Sequence, residues 1–237
     1  MQDSHSELVS RTLSPKAACA ELPPGAVNVN VEGRRATTTE EGFGSLRERT
    51  YLAEMPGLAM SPAELIRAWK AGFPDFWPQG NHFYPCGGGV EPGVTAVINL
   101  LLPGGMKLYT GALVTSSGKE SFSFTTLLGH MFAGSITFSA FSRDDVLHAQ
   151  VQALIRPGDP LFELSFLLGL GMRAEDTFWL TALTNLGRHL GVEPVLRHSS
   201  RMLDRRLQWR NFGNLWYNAG IRSVLYQLGA LFRARGA

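Results

Sequence analysis

Two alternating runs constrain this chain more than anything else in it. In SITFSAF (135–141), Ile136, Phe138 and Ala140 fall on one side and Ser135, Thr137 and Ser139 on the other. In VLHAQVQALIR (146–156), Leu147, Ala149, Val151, Ala153 and Ile155 oppose His148, Gln150 and Gln152. Successive strand side chains point to opposite faces, so each run makes a strand with one apolar and one polar face. Arg143, Asp144 and Asp145 supply the turn between them. With ESFSFTTL (120–127) before and RPGDPLFEL (156–164) read as the closing strand, the stretch makes consecutive strands of a bent sheet.

A helix over 173–190 follows. Phe178, Trp179, Ala182, Leu183, Leu186 and Leu190 give it a broad apolar face at helical spacing. Glu175 and Asp176 suit its dipole near the start, and Gly191 stops it. A sheet wrapped around such a helix is a container. Charged residues make up only 18% and glycines number 26, a mixture that suits an all-β or α+β domain with many tight turns.

Upstream, residues 1–45 are rich in Ser, Thr and Pro and are expected to form a mobile leader, with at most a short strand at Val27, Val29 and Val31. Residues 46–57 read as a first strand. In SPAEL, Ser61 caps a helix, Pro62 takes its first position and Glu64 closes a capping box. Phe73, Phe76, Trp77, Phe83 and Tyr84 cluster among three prolines. They form either core at a corner or one wall of a pocket. CGGGVEPG (86–93) lacks the Lys-Ser/Thr of a phosphate loop. Residues 93–105 and a hairpin turning at 116–119 add strands.

The net charge of +2 hides an asymmetry. Beyond residue 196, eight arginines against Asp204 give +7, which leaves −5 for residues 1–196. Such a tail docks on the acidic body or meets an anionic partner. RMLDRRLQW (201–209) reads as a basic helix. Residues 211–232 read as an apolar helix with Asn214, Asn218 and Arg222 in a polar line. Few lysines and no RNA-binding motif argue against nucleic acid.

Cys19 and Cys86 stand alone, so neither a metal site nor a disulfide framework can be argued. The six histidines show no metal-ligand spacing, and no GxSxG occurs. No cofactor is implied. The absence of a signal-peptide core or a long apolar run makes a cytoplasmic location the default expectation. A buried Glu163 would need a partner, with Arg173 or Arg143 as candidates.

The order strand, short helix, about six antiparallel strands, long helix resembles the START-like (SRPBCC) helix-grip superfamily. GHMFAGSITFSAF and EDTFWLTALTNLGRHLG resemble stretches of uncharacterised bacterial members. That superfamily includes polyketide cyclases, plant pathogenesis-related ligand binders and lipid-transfer domains. The resemblance covers residues 46–191. It implies an α+β fold with a curved antiparallel sheet of about seven strands around the helix. Residues 1–45 would then be a leader and 192–237 a basic helical extension.

A cavity between sheet and helix would hold an apolar or amphipathic molecule, lipid- or polyketide-like. Its walls would be Trp77, Phe83, Phe122, Phe124, Ile136, Phe138, Phe178, Trp179 and Leu183. The alternation leaves open which strand face looks inward. If the His148 face does, a cyclase- or hydrolase-like enzyme using His130 or His148 is the alternative. A third reading is a membrane-surface or protein-interaction module, contacting its partner through Arg201, Arg205, Arg206, Arg210, Trp209 and Trp216.

Overall fold

A computed structural model describes residues 16–102 and 104–235. Eight strands form one antiparallel sheet: β1 (Leu46–Met55), β2 (His82–Pro85), β3 (Thr95–Leu101), β4 (Lys107–Ser117), β5 (Ser121–Thr126), β6 (Phe132–Arg143), β7 (Val146–Pro157) and β8 (Val195–Asp204). Their order is β2-β3-β4-β5-β6-β7-β1-β8. Four helices accompany them: α1 (Pro62–Ala71), α2 (Pro160–Leu167), α3 (Leu170–His189) and α4 (Ala219–Arg235). The sheet curves around α3 and α1, and the architecture is an α+β helix-grip.

Local chemistry sets the registers. Asp144 and Asp145 both take positive φ (51° and 59°), the conformation of a two-residue hairpin turn matched to strand twist. That turn locks Phe138 opposite Val151 and Ala140 opposite Ala149, so the apolar faces of β6 and β7 coincide. Gly134 is required where β6 crosses β7. Its φ is 142°, and a Cβ there would meet the Leu154 carbonyl oxygen at 2.2 Å.

Inside the curve, Trp69 of α1 and Phe73 meet Phe122 and Phe138 edge-on. Leu183 and Leu186 of α3 complete this core. At α1 the expected capping box is present: Glu64 N–H donates to Ser61 Oγ, and Ser61 N–H donates to Glu64 Oε2 at 2.8 Å.

Several expectations need correction. The sheet has its expected seven strands within 46–191, and the segment read as a helical extension adds an eighth. RPGDPLFEL does not continue as a strand. Asp159 Oδ1 accepts the amides of Leu161 and Phe162 at 2.9 and 3.1 Å, and Pro160 takes the first helical position, so α2 begins there. The long helix starts at Leu170, which places Glu175 well inside it and not at its end.

The part of the leader from residue 16 onward packs on the body; residues 1–15 lie outside the described residues. Ala17, Val31 and Ala36 pack on Val97, Leu113 and Leu127, on the outer side of the sheet. Cys19 and Cys86 form a disulfide with Cα atoms 5.2 Å apart. Neither cysteine announces the other across 67 residues of sequence. The fold brings them together.

RMLDRRLQW is not helical either. Val195–Asp204 is an edge strand on β1, with His198 opposite Tyr51. Its arginines complete the pairing: Arg197 bonds Glu54 and Arg201 bonds Glu48 across the strands. Residues Trp209–Tyr217 form a 3₁₀ helix, and an α-helix follows only from Ala219. The polar line therefore pins the tail to the body. Asn214 Nδ2 donates to the Glu41 and Gly158 carbonyls, and Asn218 Nδ2 donates to Asp159 Oδ2 at 2.7 Å.

Candidate functional site

The open question about β7 has a definite answer. Its apolar face, Leu147 to Ile155, looks inward into the core, and the His148 face looks out. His148 is occupied there: its Nδ1 lies 2.9 Å from the Val146 carbonyl, and its ring stacks on Phe141. Gln152 donates to Glu48 on β1. His148 is not among the residues that line the cavity between the sheet and α3.

Between the concave sheet face and α3 lies a cavity of about 350 Å³. Of the nine residues expected to line it, Trp77, Phe83, Phe124, Ile136, Phe138, Phe178 and Trp179 do. Phe122 and Leu183 do not. Phe122 stacks behind Phe138 with centroids 4.7 Å apart, and both Phe122 and Leu183 are fully buried in the core. The aromatic cluster at 73–84 is therefore both core and wall. At the rim stand Leu101 and Met106 between β3 and β4, and Phe162 and Phe166 from α2.

A few polar groups reach this otherwise apolar space, chiefly His130, Glu175, Thr126 and Ser135. Glu175 arrives through a buried network. Arg49 points inward from β1, in step with Tyr51, Ala53 and Met55. Its Nη1 donates to Glu175 Oε2 at 2.7 Å, and its Nη2 pairs with Asp176. Tyr51 Oη donates to Asp176 Oδ1 at 3.0 Å. Burial raises the Glu175 carboxyl to about 7, with Arg49 pulling against that rise. Burial also raises the Tyr51 hydroxyl. The helix-start reading of Glu175 and Asp176 gives way to this pairing with Arg49.

His130 sits in the turn between β5 and β6. Its Nδ1 accepts the Phe132 amide at 3.0 Å, which leaves Nε2 to carry the proton of the neutral ring. Burial lowers its pKa to about 4, so the ring is neutral near pH 7. The residue is half-buried and lines the cavity. One further group stands out. The Trp77 indole nitrogen is buried without a hydrogen-bond partner, on a residue that lines the cavity.

Glu163 belongs elsewhere. It accepts from the Ser45 hydroxyl and amide at 3.2 and 3.3 Å, and neither Arg173 nor Arg143 pairs with it. Of the tail residues, Arg201 and Arg206 pair with Glu48 and Asp204, and Arg210 donates to the Glu40 carbonyl. Arg205 is exposed. Trp209 packs edge-on against Phe43 yet remains 66% exposed, and Trp216 is 81% exposed. Among the described residues, no three His, Cys, Asp or Glu side chains are grouped to hold a metal. No described helix is long and apolar enough to cross a membrane.

The sequence reading missed Arg49, Trp77 Nε1 and the pairing of Glu175. A signal existed for Arg49. It shares strand parity with Tyr51 and Ala53, so an inward-facing charge on β1 follows once those two are placed in the core.

No family model and no curated protein matches the chain. Solved structures are similar in outline. Protein Ms6760 from Mycobacterium smegmatis is 14% identical over 61% of this chain and 90% of its own, with a TM-score of 0.44. Ara h 8.0201 is 11% identical over 61% and 97%, also at 0.44. The KanY protein is 12% identical over 62% and 99%, at 0.48. The helix-grip assignment rests on strand order and register rather than on these similarities.

Proposed function

We propose that this protein binds an apolar or amphipathic small molecule in the cavity between sheet and α3. The observation that carries this reading is the aromatic-walled space itself, which opens to the surface at its rim. A cavity of about 350 Å³ walled by Phe, Trp and Ile side chains falls in the usual range for ligand sites. Such walls favour apolar matter by desolvation, at about 25 cal/mol per Å² removed from water.

A second reading is acid–base chemistry on such a ligand. It is favoured by a carboxyl raised to about 7 on the same cavity as a neutral imidazole. The disulfide bears on location as well. Such bonds persist in oxidising compartments, which weighs against the cytoplasmic default.

The test uses the residues of the site. Trp77 and Trp179 line the cavity, so their fluorescence reports occupancy. Native mass spectrometry of the purified protein, followed by organic extraction, looks for a co-purifying molecule. Titration with the fatty acid cis-parinaric acid is then compared between the wild type and Ile136→Trp, which fills the space. Binding that Ile136→Trp abolishes supports the reading. Absence of any co-purifying molecule, together with equal probe binding by both proteins, overturns it.

A further inference from the structure

α4 is amphipathic in an inverted sense. The face it turns to the sheet is small and polar. Ser223 Oγ accepts the Tyr109 amide at 2.9 Å, Gln227 Nε2 donates to the Lys107 carbonyl at 2.9 Å, and Ala219 is fully buried. The opposite face carries Ile221, Val224, Leu225, Leu228, Leu231 and Phe232 at helical spacing, each between 36% and 73% exposed. A helix of a globular domain ordinarily turns such a stripe inward.

The apolar surface continues beyond the helix. Phe162, at the rim of the cavity, lies beside Gly220 at the start of α4. Leu161, Leu164 and Leu167 of α2, and Leu168 just past its end, are all exposed. Leu101 and Met106 on the same rim are exposed too. Exposed apolar side chains in this number mark an interaction surface.

Charge identifies the occupant. From residue 205 onward the chain holds arginines at 205, 206, 210, 222, 233 and 235 and no acid. The one acid of α2, Glu163, is buried against Ser45. A second copy of the chain would bring no acid from this segment to meet those arginines. An anionic lipid surface offers hydrocarbon to the leucines and phosphate to the arginines. Exposed Trp209 and Trp216 suit headgroup depth.

We propose that the outward stripe of α4, with the exposed leucines of α2, docks this protein on an anionic membrane surface with the cavity mouth at its edge. This goes beyond the ligand-binding reading, and it is tested without any ligand.

The experiment is flotation of the full chain with vesicles of phosphatidylcholine and phosphatidylglycerol at roughly three to one. Pure phosphatidylcholine vesicles and the variant Leu225→Glu/Leu228→Glu are run beside it. The wild type should float with the anionic vesicles, and less so in high salt. The variant should lose about tenfold in partitioning per leucine, on the order of a hundredfold in all. Its melting temperature should stay near that of the wild type, because both positions are solvent-facing. Equal flotation by the variant, or none by the wild type, overturns the proposal. So does a wild-type dimer in sedimentation that the variant converts to monomer while neither floats.

Discussion

Glu175 and His130 border one cavity, and burial drives both toward neutrality, with opposite consequences for stability as pH changes. The Glu175 carboxyl rises from 4.5 to about 7. Between those values the folded chain keeps a proton that the unfolded chain has released. Its contribution is therefore present below about pH 4.5 and lost as pH rises to about 7. His130 falls from 6.5 to about 4. There the unfolded chain takes a proton that the folded chain refuses, so its contribution is present above about pH 6.5 and lost as pH falls. At about 1.4 kcal/mol per unit, the Glu175 effect is roughly 3 kcal/mol. That of His130 is smaller, about 2 kcal/mol, because its ring is only half-buried.

In the wild type the two slopes largely offset each other between about pH 4.5 and 6.5. Removing one unmasks the other. Glu175→Gln should leave stability climbing with pH across that window. His130→Asn, which keeps an acceptor for the Phe132 amide, should leave it falling. At about 2–4 °C per kcal/mol for a chain of this size, the curves should diverge by roughly 10 °C or more from end to end. Thermal unfolding followed by circular dichroism from pH 4.5 to 7.5 reads this directly. All other titrating groups are common to the three proteins and drop out of the differences. Three parallel curves would refute the reasoning.

Arg49→Met should destabilise the fold by about 3–5 kcal/mol at neutral pH, because it strands two carboxylates beside the cavity. Adding Glu175→Gln should recover part of that loss in a urea double-mutant cycle. Cys86→Ser opens a disulfide spanning 67 residues, a loss of about 4 kcal/mol by loop entropy. The wild type in dithiothreitol should melt at the variant's temperature, and the variant should not respond to the reductant. Asn218→Ala removes the bond to Asp159 and a cap on the Ile221 amide, a loss of about 1–3 kcal/mol. Limited proteolysis should then cut within 219–235 sooner than in the wild type.

The sheet was legible where strands alternate and turns are chemically marked. The runs at 135–141 and 146–156 became β6 and β7 because each pairs a strict period of two with a two-residue Asp-Asp turn. A container followed from the bent sheet and the amphipathic helix, the superfamily resemblance put a ligand cavity between them, and its walls were legible only in their aromatic residues. Phe122 fell outside it because parity assigns a face and not a depth. On one face, Phe138 stands at the cavity and Phe122 behind it. The Arg49 network was hidden because its members lie more than 120 residues apart, and no local pattern links β1 to α3.

The tail shows a different limit. Its composition fixes a helix with one apolar face, and a soluble chain is expected to bury that face. Here Asn30 decides otherwise. Its Nδ2 donates to the Tyr109 carbonyl at 2.8 Å, and its Oδ1 accepts from Arg222 Nε at 2.8 Å. Together with Ser223 and Gln227, this holds the polar side of α4 against β4. Each of those groups is satisfied only in that orientation. Rotating the helix to bury its leucines would break the bonds that α4 makes and leave the Tyr109 amide, the Lys107 carbonyl and Asn30 Oδ1 without those partners, a loss of about 1–3 kcal/mol for each group left unpaired. Periodicity states which residues share a face. Which face turns outward is decided by polar partners contributed from residues 30 and 107–109, far away in sequence.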